Sequence, residues 1–320
     1  MITGIKSQIN KLIGSKETYP SVTKELKTYA ENLNKDIWIN FKGELDIIMP
    51  TFNRLSVTKR CIENLINYNK VKFNLIIVDN NSDLKMKKYL SSLVRKDIQV
   101  VFLHKNLGGS GSRMEGLKYS KSEFVAFIDN DILIMPYYLE NLINSLQVNP
   151  DISAVQSKVV FPNRLVQINR PVFKEKDGWI EFFDKDINKN YLDSSSEVSE
   201  PIDWMPSGAT IWRRSVFTEE GFDPDFNTSY EDNDFTFRLH NKGYKFMNSH
   251  KAICLHLSSE FTPSSVSQEY TKGRFGNENV MNSLKTFKEK HGLFLSFGDK
   301  EEFSKYMGFE NSKKLEETLL

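Results

Sequence analysis

From residue 45 onward, short apolar runs alternate with longer amphipathic stretches, the pattern of a parallel sheet covered by helices. The runs at 45–49, 73–78, 98–103 and 124–128 read as strands, each a few apolar residues bounded by polar ones. Between them, 57–68, 84–94 and 112–119 have helical length and spacing. This order predicts an α/β fold with a Rossmann-like, mostly parallel central sheet. In such sheets ligands bind beyond the carboxyl ends of the strands, so the residues after each strand carry the most information.

Those residues are polar four times in a row. They are Pro50-Thr51-Phe52-Asn53-Arg54, then Asp79-Asn80-Asn81-Ser82, then Asn106-Leu107-Gly108-Gly109-Ser110-Gly111-Ser112-Arg113, and finally Asp129-Asn130-Asp131. Past Pro136 the pattern predicts a helix over 137–146 and a strand over 154–161. A polar stretch at 174–200 has no clear period and reads as a loop-rich insertion. Order resumes near Trp204, a helix opens near Glu231, and 244–247 with 252–257 reads as a hairpin-like pair. Residues 261–320 read as helices with charged faces. Three regions follow: an N-terminal helical extension (1–44), a main domain (45–260, with halves 45–131 and 132–260) and a C-terminal helical region (261–320).

Composition narrows the partners. Forty-three Lys and Arg face 42 Asp and Glu, so whole-chain charge gives no reason to expect nucleic acid. The two cysteines, Cys61 and Cys254, lie far apart among apolar neighbours and suit buried thiols of a reducing, cytoplasmic compartment. The first residues lack the apolar core of a signal peptide, and no stretch is apolar enough to span a bilayer. Ile5, Ile9, Leu12 and Ile13 do recur at helical spacing beside Lys6, Lys11 and Lys16. That face either packs on its own domain or lies on anionic lipid, a peripheral contact at the inner face of a membrane. Assembly of several copies into a homo-oligomer is left open.

Several of the polar residues have specific chemistry available. Asp129 and Asp131, directly after an apolar strand, can share a hard divalent cation, Mg2+ or Mn2+, that also takes phosphate oxygens. The same triplet also suits an Asp/Asn-rich turn. Glycines 108, 109 and 111 before a helix let backbone N–H groups approach an anion, or simply make a flexible connection. Asp79 can accept from a base or a ribose hydroxyl. Glu231-Asp232-Asn233-Asp234 falls in the first turn of a helix, where carboxylates are favoured electrostatically in any case. His256 closes the last apolar run and is either a packed imidazole or a metal ligand.

Taken together, Pro50-Thr51-Phe52-Asn53, Val78-Asp79-Asn80-Asn81-Ser82, the 106–116 segment, Phe127-Ile128-Asp129-Asn130-Asp131, Glu231-Asp232-Asn233-Asp234 with Arg238, Gly243-Tyr244 and His256 resemble the inverting GT-A glycosyltransferases of family 2. The likeness covers about 45–260, and the 106–113 segment looks particularly like the rhamnosyl- and galactofuranosyl-transferase branch. It implies a nucleotide-sugar donor, UDP-sugar or dTDP-sugar, held by Pro50, Thr51, Asn53, Asp79, Asn106, Gly108, Gly109, Arg113, Asp129 and Asn130 in the 45–131 half. It implies a Mn2+ or Mg2+ cofactor on Asp129, Asp131 and His256, and Asp232 as catalytic base with Glu231 as its fallback. Trp204, Gly208 and Ala209 would line the acceptor side in the 132–260 half, where Trp204 either stacks on a sugar or packs in the core. The acceptor would be a glycan, a lipid-linked glycan or a protein. Asn130 stands where many relatives carry Asp, and Ser112 where they often carry Gly.

Two other readings compete. A sugar-phosphate nucleotidyltransferase would need a Gly-rich triphosphate loop after the first strand, where Pro50-Thr51-Phe52-Asn53-Arg54 stands instead. A non-catalytic nucleotide-sugar-binding partner subunit would have no use for a base at Asp232.

Overall fold

A computed structural model describes residues 18–35, 41, 43–68, 70–193, 198–226, 229–258 and 277–320. The amphipathic stretch bearing Ile5, Ile9, Leu12 and Ile13 lies outside the described residues. An N-terminal helix, α1 (Thr18–Leu33), precedes an alternating half built of β1 (Leu45–Thr51), α2 (Leu55–Asn67), β2 (Phe73–Asp79), α3 (Leu84–Ser91), β3 (Ile98–Phe102), α4 (Gly108–Leu117) and β4 (Phe124–Ile128). The second half continues with β5 (Ile132–Ile134), α5 (Tyr138–Val148), β6 (Ile152–Val160), β7 (Val166–Ile168), β8 (Pro171–Lys176), β9 (Trp179–Asp184), β10 (Pro201–Ile202), β11 (Ala209–Arg213), α6 (Val216–Glu219), α7 (Glu231–Asn241) and β12 (Lys245–His256). Last come α8 (Asn277–His291), β13 (Phe294–Phe297), α9 (Lys300–Tyr306) and α10 (Ser312–Leu319).

The main sheet runs β10-β12-β6-β11-β4-β1-β2-β3. Pairings β1–β2, β1–β4, β2–β3 and β6–β12 are parallel, whereas β11 runs antiparallel between β4 and β6. The parallel strands at the centre are covered on both faces, which is why their sequences are near-continuous apolar runs: every residue of Phe124–Ile128 is buried. Helix α2 buries Thr58, Cys61, Ile62 and Leu65, the one-sided spacing expected of a helix laid on a sheet. At the amino end of β1 a buried carboxylate, Asp46, accepts from Ser120 Oγ, from the Lys121 and Ser122 N–H groups and from Asn74, pinning β1 to the loop before β4.

Three readings need correction. The polar 174–200 stretch is not all loop, because β8 and β9 form a hairpin within it. Its turn is Asp177-Gly178, both with positive φ (51° and 77°), the two-residue connection that matches strand twist. Residues 244–257 are not a hairpin but the single strand β12. The polar run Asn248-Ser249-His250-Lys251 that suggested a turn sits at a shift of register against β6 between Ser249 and Ile253. Residues 261–320 are not purely helical, since β13 adds in parallel to β9 and completes a small sheet β13-β9-β8. That sheet shares the main core, with Trp179, Ile180, Phe182, Leu284, Phe287 and Leu295 buried together.

Candidate active site

β2 lies on one side of β1 and β4 on the other, so the strand order reverses at β1. A crevice opens at such a reversal beyond the carboxyl ends. Pro50, Thr51, Asp79, Asp129 and Asp131 all belong to strand ends or loops on that edge. Thr51 and Asp79 are register partners, and both are buried. Asp79 receives the Ser82 N–H on both oxygens at 3.3 Å, and burial raises its carboxyl from the usual range.

The next loops are pinned by amides. Asn53 donates its N–H to Ser82 Oγ at 2.8 Å and accepts the Asp83 N–H on its side-chain oxygen, also at 2.8 Å. Asn106 accepts from Asn80 Nδ2 at 2.7 Å and from the Gly108 N–H at 2.9 Å, while Asn80 accepts the Leu107 N–H. These two asparagines therefore shape the turn that opens α4. Asn130 donates to Thr58 Oγ1 at 2.7 Å, toward α2, so of the triplet only the flanking acids are turned to the site.

Each of those acids carries an arginine. Arg113, on α4 and 4 % exposed, donates to Asp129 through a short bond. A methyl group at Gly109 would stand 2.8 Å from Arg113 Nη1 and 3.7 Å from Glu231 Oε1, so Asp129, Arg113 and Glu231 converge beside that glycine. Arg54 donates to Asp131 Oδ2 and to the Leu257 carbonyl, both at 2.7 Å. His256 Nε2 faces the same Asp131 oxygen at 3.4 Å. Its Nδ1 is 2.7 Å from Gln167 Oε1, so the ring has an acceptor at each nitrogen, Gln167 at Nδ1 and Asp131 at Nε2. The ring stacks on Phe161. Burial alone would raise the Asp131 carboxyl, but His256 and then Arg54 outweigh it and hold it well below the carboxylate range. Burial lowers the His256 imidazole, and the Asp131 charge reverses the direction, leaving it raised.

Among the described residues no three of His, Cys, Asp and Glu stand close enough to hold an ion. Asp131 and His256 form a pair with oxygen and imidazole donors, while Asp129 is turned toward Arg113. A pair of this kind fits a cation that takes its remaining ligands from phosphate oxygens and water, the usual habit of Mg2+-type sites.

Asp232 is joined to the Asp129 strand end by two consecutive residues. The Gly208 carbonyl accepts the Asp129 N–H at 2.9 Å, and Ser207 Oγ donates to Asp232 Oδ1 at 2.6 Å. Asp232 is half-buried at the first turn of α7, whereas Glu231 is buried and Asp234 is spent on Arg238 and His291. Ala209 is buried in β11 and lends its carbonyl to Ser157. Trp204 packs: its indole N–H is taken by the Val172 and Phe183 carbonyls and its ring by Phe182 and Phe297. Sequence reasoning assigned no role to Arg54, Ser207, Asn80 or Gln167. Arg54 and Asn80 stand inside the polar strand ends and could have been weighed there; Ser207 and Gln167 carry no local signal.

Residues 46–199 match the family model described as Glycosyl transferase family 2. The chain carries a glycosyl transferase family 2 domain. Over 190 residues it is 26 % identical to the GalNAc(5)-diNAcBac-PP-undecaprenol beta-1,3-glucosyltransferase of Campylobacter jejuni, covering 57 % of this chain and about half (56 %) of that protein. In fold it is similar to GalNAc-T7, solved with UDP, GalNAc and Mn2+, at a TM-score of 0.55 and 13 % identity, covering 95 % of this chain and 65 % of the other. It is also similar to the mannosyltransferase PcManGT of Pyrobaculum calidifontis, solved with GDP-Man and Mn2+, at a TM-score of 0.52 and 14 % identity, covering 85 % and 73 %. The family 2 domain thus has the GT-A fold, with the half-sheet and polar strand ends read from the sequence. No described helix is long and apolar enough to cross a membrane.

Proposed function

We propose that the chain is an inverting glycosyltransferase that moves a sugar from a nucleotide-diphosphate donor, a UDP-sugar, to a hydroxyl of a glycan or lipid-linked acceptor in the cytoplasm. The observation that carries this reading is the Ser207-Gly208 link, which ties the strand end bearing Asp129 to the carboxylate of Asp232. The family match and the undecaprenol-linked substrate in the Campylobacter relative's name support the donor and acceptor classes. The buried free thiols Cys61 and Cys254 suit a reducing compartment.

On this reading Thr51 and Asp79 face the nucleoside, and the Asn80–Asn106 pair holds the glycine turn beneath the sugar diphosphate. Asp131 and His256, with Asp129 beside them, would hold Mn2+ or Mg2+, which when bound neutralises charge on the departing diphosphate. Ser207 fixes one oxygen of Asp232 and leaves the other for the acceptor. The acceptor oxygen bonds to the anomeric carbon as the carbon–phosphate-oxygen bond breaks. The bonding electrons leave with the nucleoside diphosphate, and the acceptor proton passes to Asp232. Attack opposite the leaving group inverts the anomeric centre. The test is a panel of nucleotide-sugars with Mn2+ and short glycan acceptors, scored for nucleoside diphosphate release, with UTP and sugar phosphates as a control arm. UDP release that depends on acceptor supports the reading; pyrophosphate release, or binding without turnover, overturns it.

A further inference from the structure

Four charged side chains at the crevice cancel in two pairs, Arg54 with Asp131 and Arg113 with Asp129. Both arginine side chains are 5 % exposed, whereas the aspartate side chains are 15 % and 33 % exposed, so the arginines stand behind the acids and the acids face the opening. Arg54 is aimed by unusual backbone: it and Asn53 both have positive φ, 55° and 52°, a conformation that side chains with a Cβ adopt only when their surroundings hold them there. Those surroundings are the Asn53 bonds to Ser82 and Asp83, and the Leu257 carbonyl that takes the second guanidinium arm.

We infer that Arg54 and Arg113 are positioning residues that hold Asp131 and Asp129 as neutral pairs before the donor arrives, so that a divalent cation binds well only together with a nucleoside diphosphate. The inference rests on the proposed donor chemistry. A cation approaching Asp131 alone meets the Arg54 guanidinium on the same oxygen that faces His256, and two positive charges at that spacing repel in a partly dry crevice. A diphosphate supplies the missing negative charge. The guanidinium groups then exchange a carboxylate for phosphate oxygens, which they bind equally well in fork geometry. Affinities for the cation and the nucleotide must therefore be linked, each raising the other by the same factor.

The test is the affinity for Mn2+, followed by the electron paramagnetic resonance signal of the free ion, with and without UDP, GDP or dTDP. The wild-type chain is expected to bind Mn2+ weakly alone and at least about tenfold more tightly with its nucleotide. Arg54→Met, which keeps the stem but removes the charge, is expected to bind Mn2+ alone about tenfold more tightly than wild type, with the nucleotide effect reduced. Arg54→Lys, which keeps the charge, should stay near wild type, and Arg113→Met should shift in the direction of Arg54→Met. Unchanged or weaker binding of Mn2+ alone by both Met variants, with nucleotide binding intact, overturns this inference and leaves the proposed function standing. Failure of the wild-type chain to bind any of the three nucleotides in the presence of Mn2+ overturns both.

Discussion

Gly208 and Asp129 are in contact so close that a Cβ at residue 208 would stand 2.2 Å from Asp129 Oδ2, while the glycine carbonyl takes the Asp129 N–H. The position admits no side chain because β11 delivers its first turn directly onto the end of β4. The Asp129 carboxylate is thereby fixed in place by backbone on one side and by Arg113 on the other.

Gly208→Ala therefore forces either Asp129 or the 207–208 turn to move. Overpacking of this kind costs about 1–3 kcal/mol of stability. The displacement should weaken Mn2+-dependent nucleotide binding and slow turnover together, because the same turn positions Asp232. Thermal unfolding and titration with UDP check both. Full affinity with an intact rate would mean the turn is free to relax.

Asp232→Asn removes the proposed proton acceptor while preserving shape. Turnover should fall by roughly 10²–10⁴, with nucleotide and Mn2+ affinity unchanged, since Asp232 has no part in the pairs at Asp129 and Asp131. Ser207→Ala should lower the rate by a smaller factor, through loss of one bond to Oδ1 at 2.6 Å. A variant of Glu231 alone that matched the Asp232→Asn loss would move the base by one residue.

The strand ends and the triplet were legible because each sits where an apolar run stops, and the α7 acids because they directly precede the apolar-periodic Phe235, Phe237 and Leu239. The buried stretches 47–49, 75–78 and 124–128 are apolar throughout, so the polar residues that follow them stand out. The β8–β9 hairpin escaped for the opposite reason. Its inward positions include Glu181 and Asp184, one balanced by Lys174 and the other by backbone N–H groups, so the alternation of polarity is broken where the strand is real. Asp177-Gly178 was the readable clue. Trp204 had two uses open to it, and packing won because the Val172 and Phe183 carbonyls need the indole donor. The Arg54–Asp131 pair joins distant parts of the chain, and no spacing rule brings such residues together.

Asp46 predicts an acid-dependent loss of stability far from the chemistry. Burial raises its carboxyl, but the Ser122 N–H, Asn74 and the Lys121 N–H outweigh burial and lower it from the usual value of 3.8. A folded-state value below the unfolded one means that the contribution is fully present above the unfolded value and is lost as pH falls through the folded one. Asp46→Asn should cost about 1–3 kcal/mol at neutral pH, since its amide would meet donors where the carboxylate met them. The gap between variant and wild type should close as pH falls below about 4. Urea unfolding at stepped pH checks it; a gap independent of pH would assign the cost to packing instead.

The last prediction concerns residues 277–320. Val280, Leu284, Phe287, Phe294, Leu295, Phe303, Leu315 and Leu319 from this stretch are all buried in the main core. Burying each such side chain is worth roughly 1.5–3 kcal/mol, so together they rival the whole net stability of a domain, about 5–15 kcal/mol. Polar ties run the same way: Glu316 accepts the Trp179 indole N–H at 2.6 Å, and His291 meets Asp234 of α7 at 2.7 Å, two residues beyond the proposed base. A chain ending at residue 276 should therefore fail to fold cooperatively, and the small sheet, stripped of β13, should lose order first. Circular dichroism and size-exclusion chromatography of the truncated and full chains test this. A truncated chain that unfolds with full cooperativity and retains nucleotide binding would show that the C-terminal region is an accessory layer rather than part of the core that sets α7.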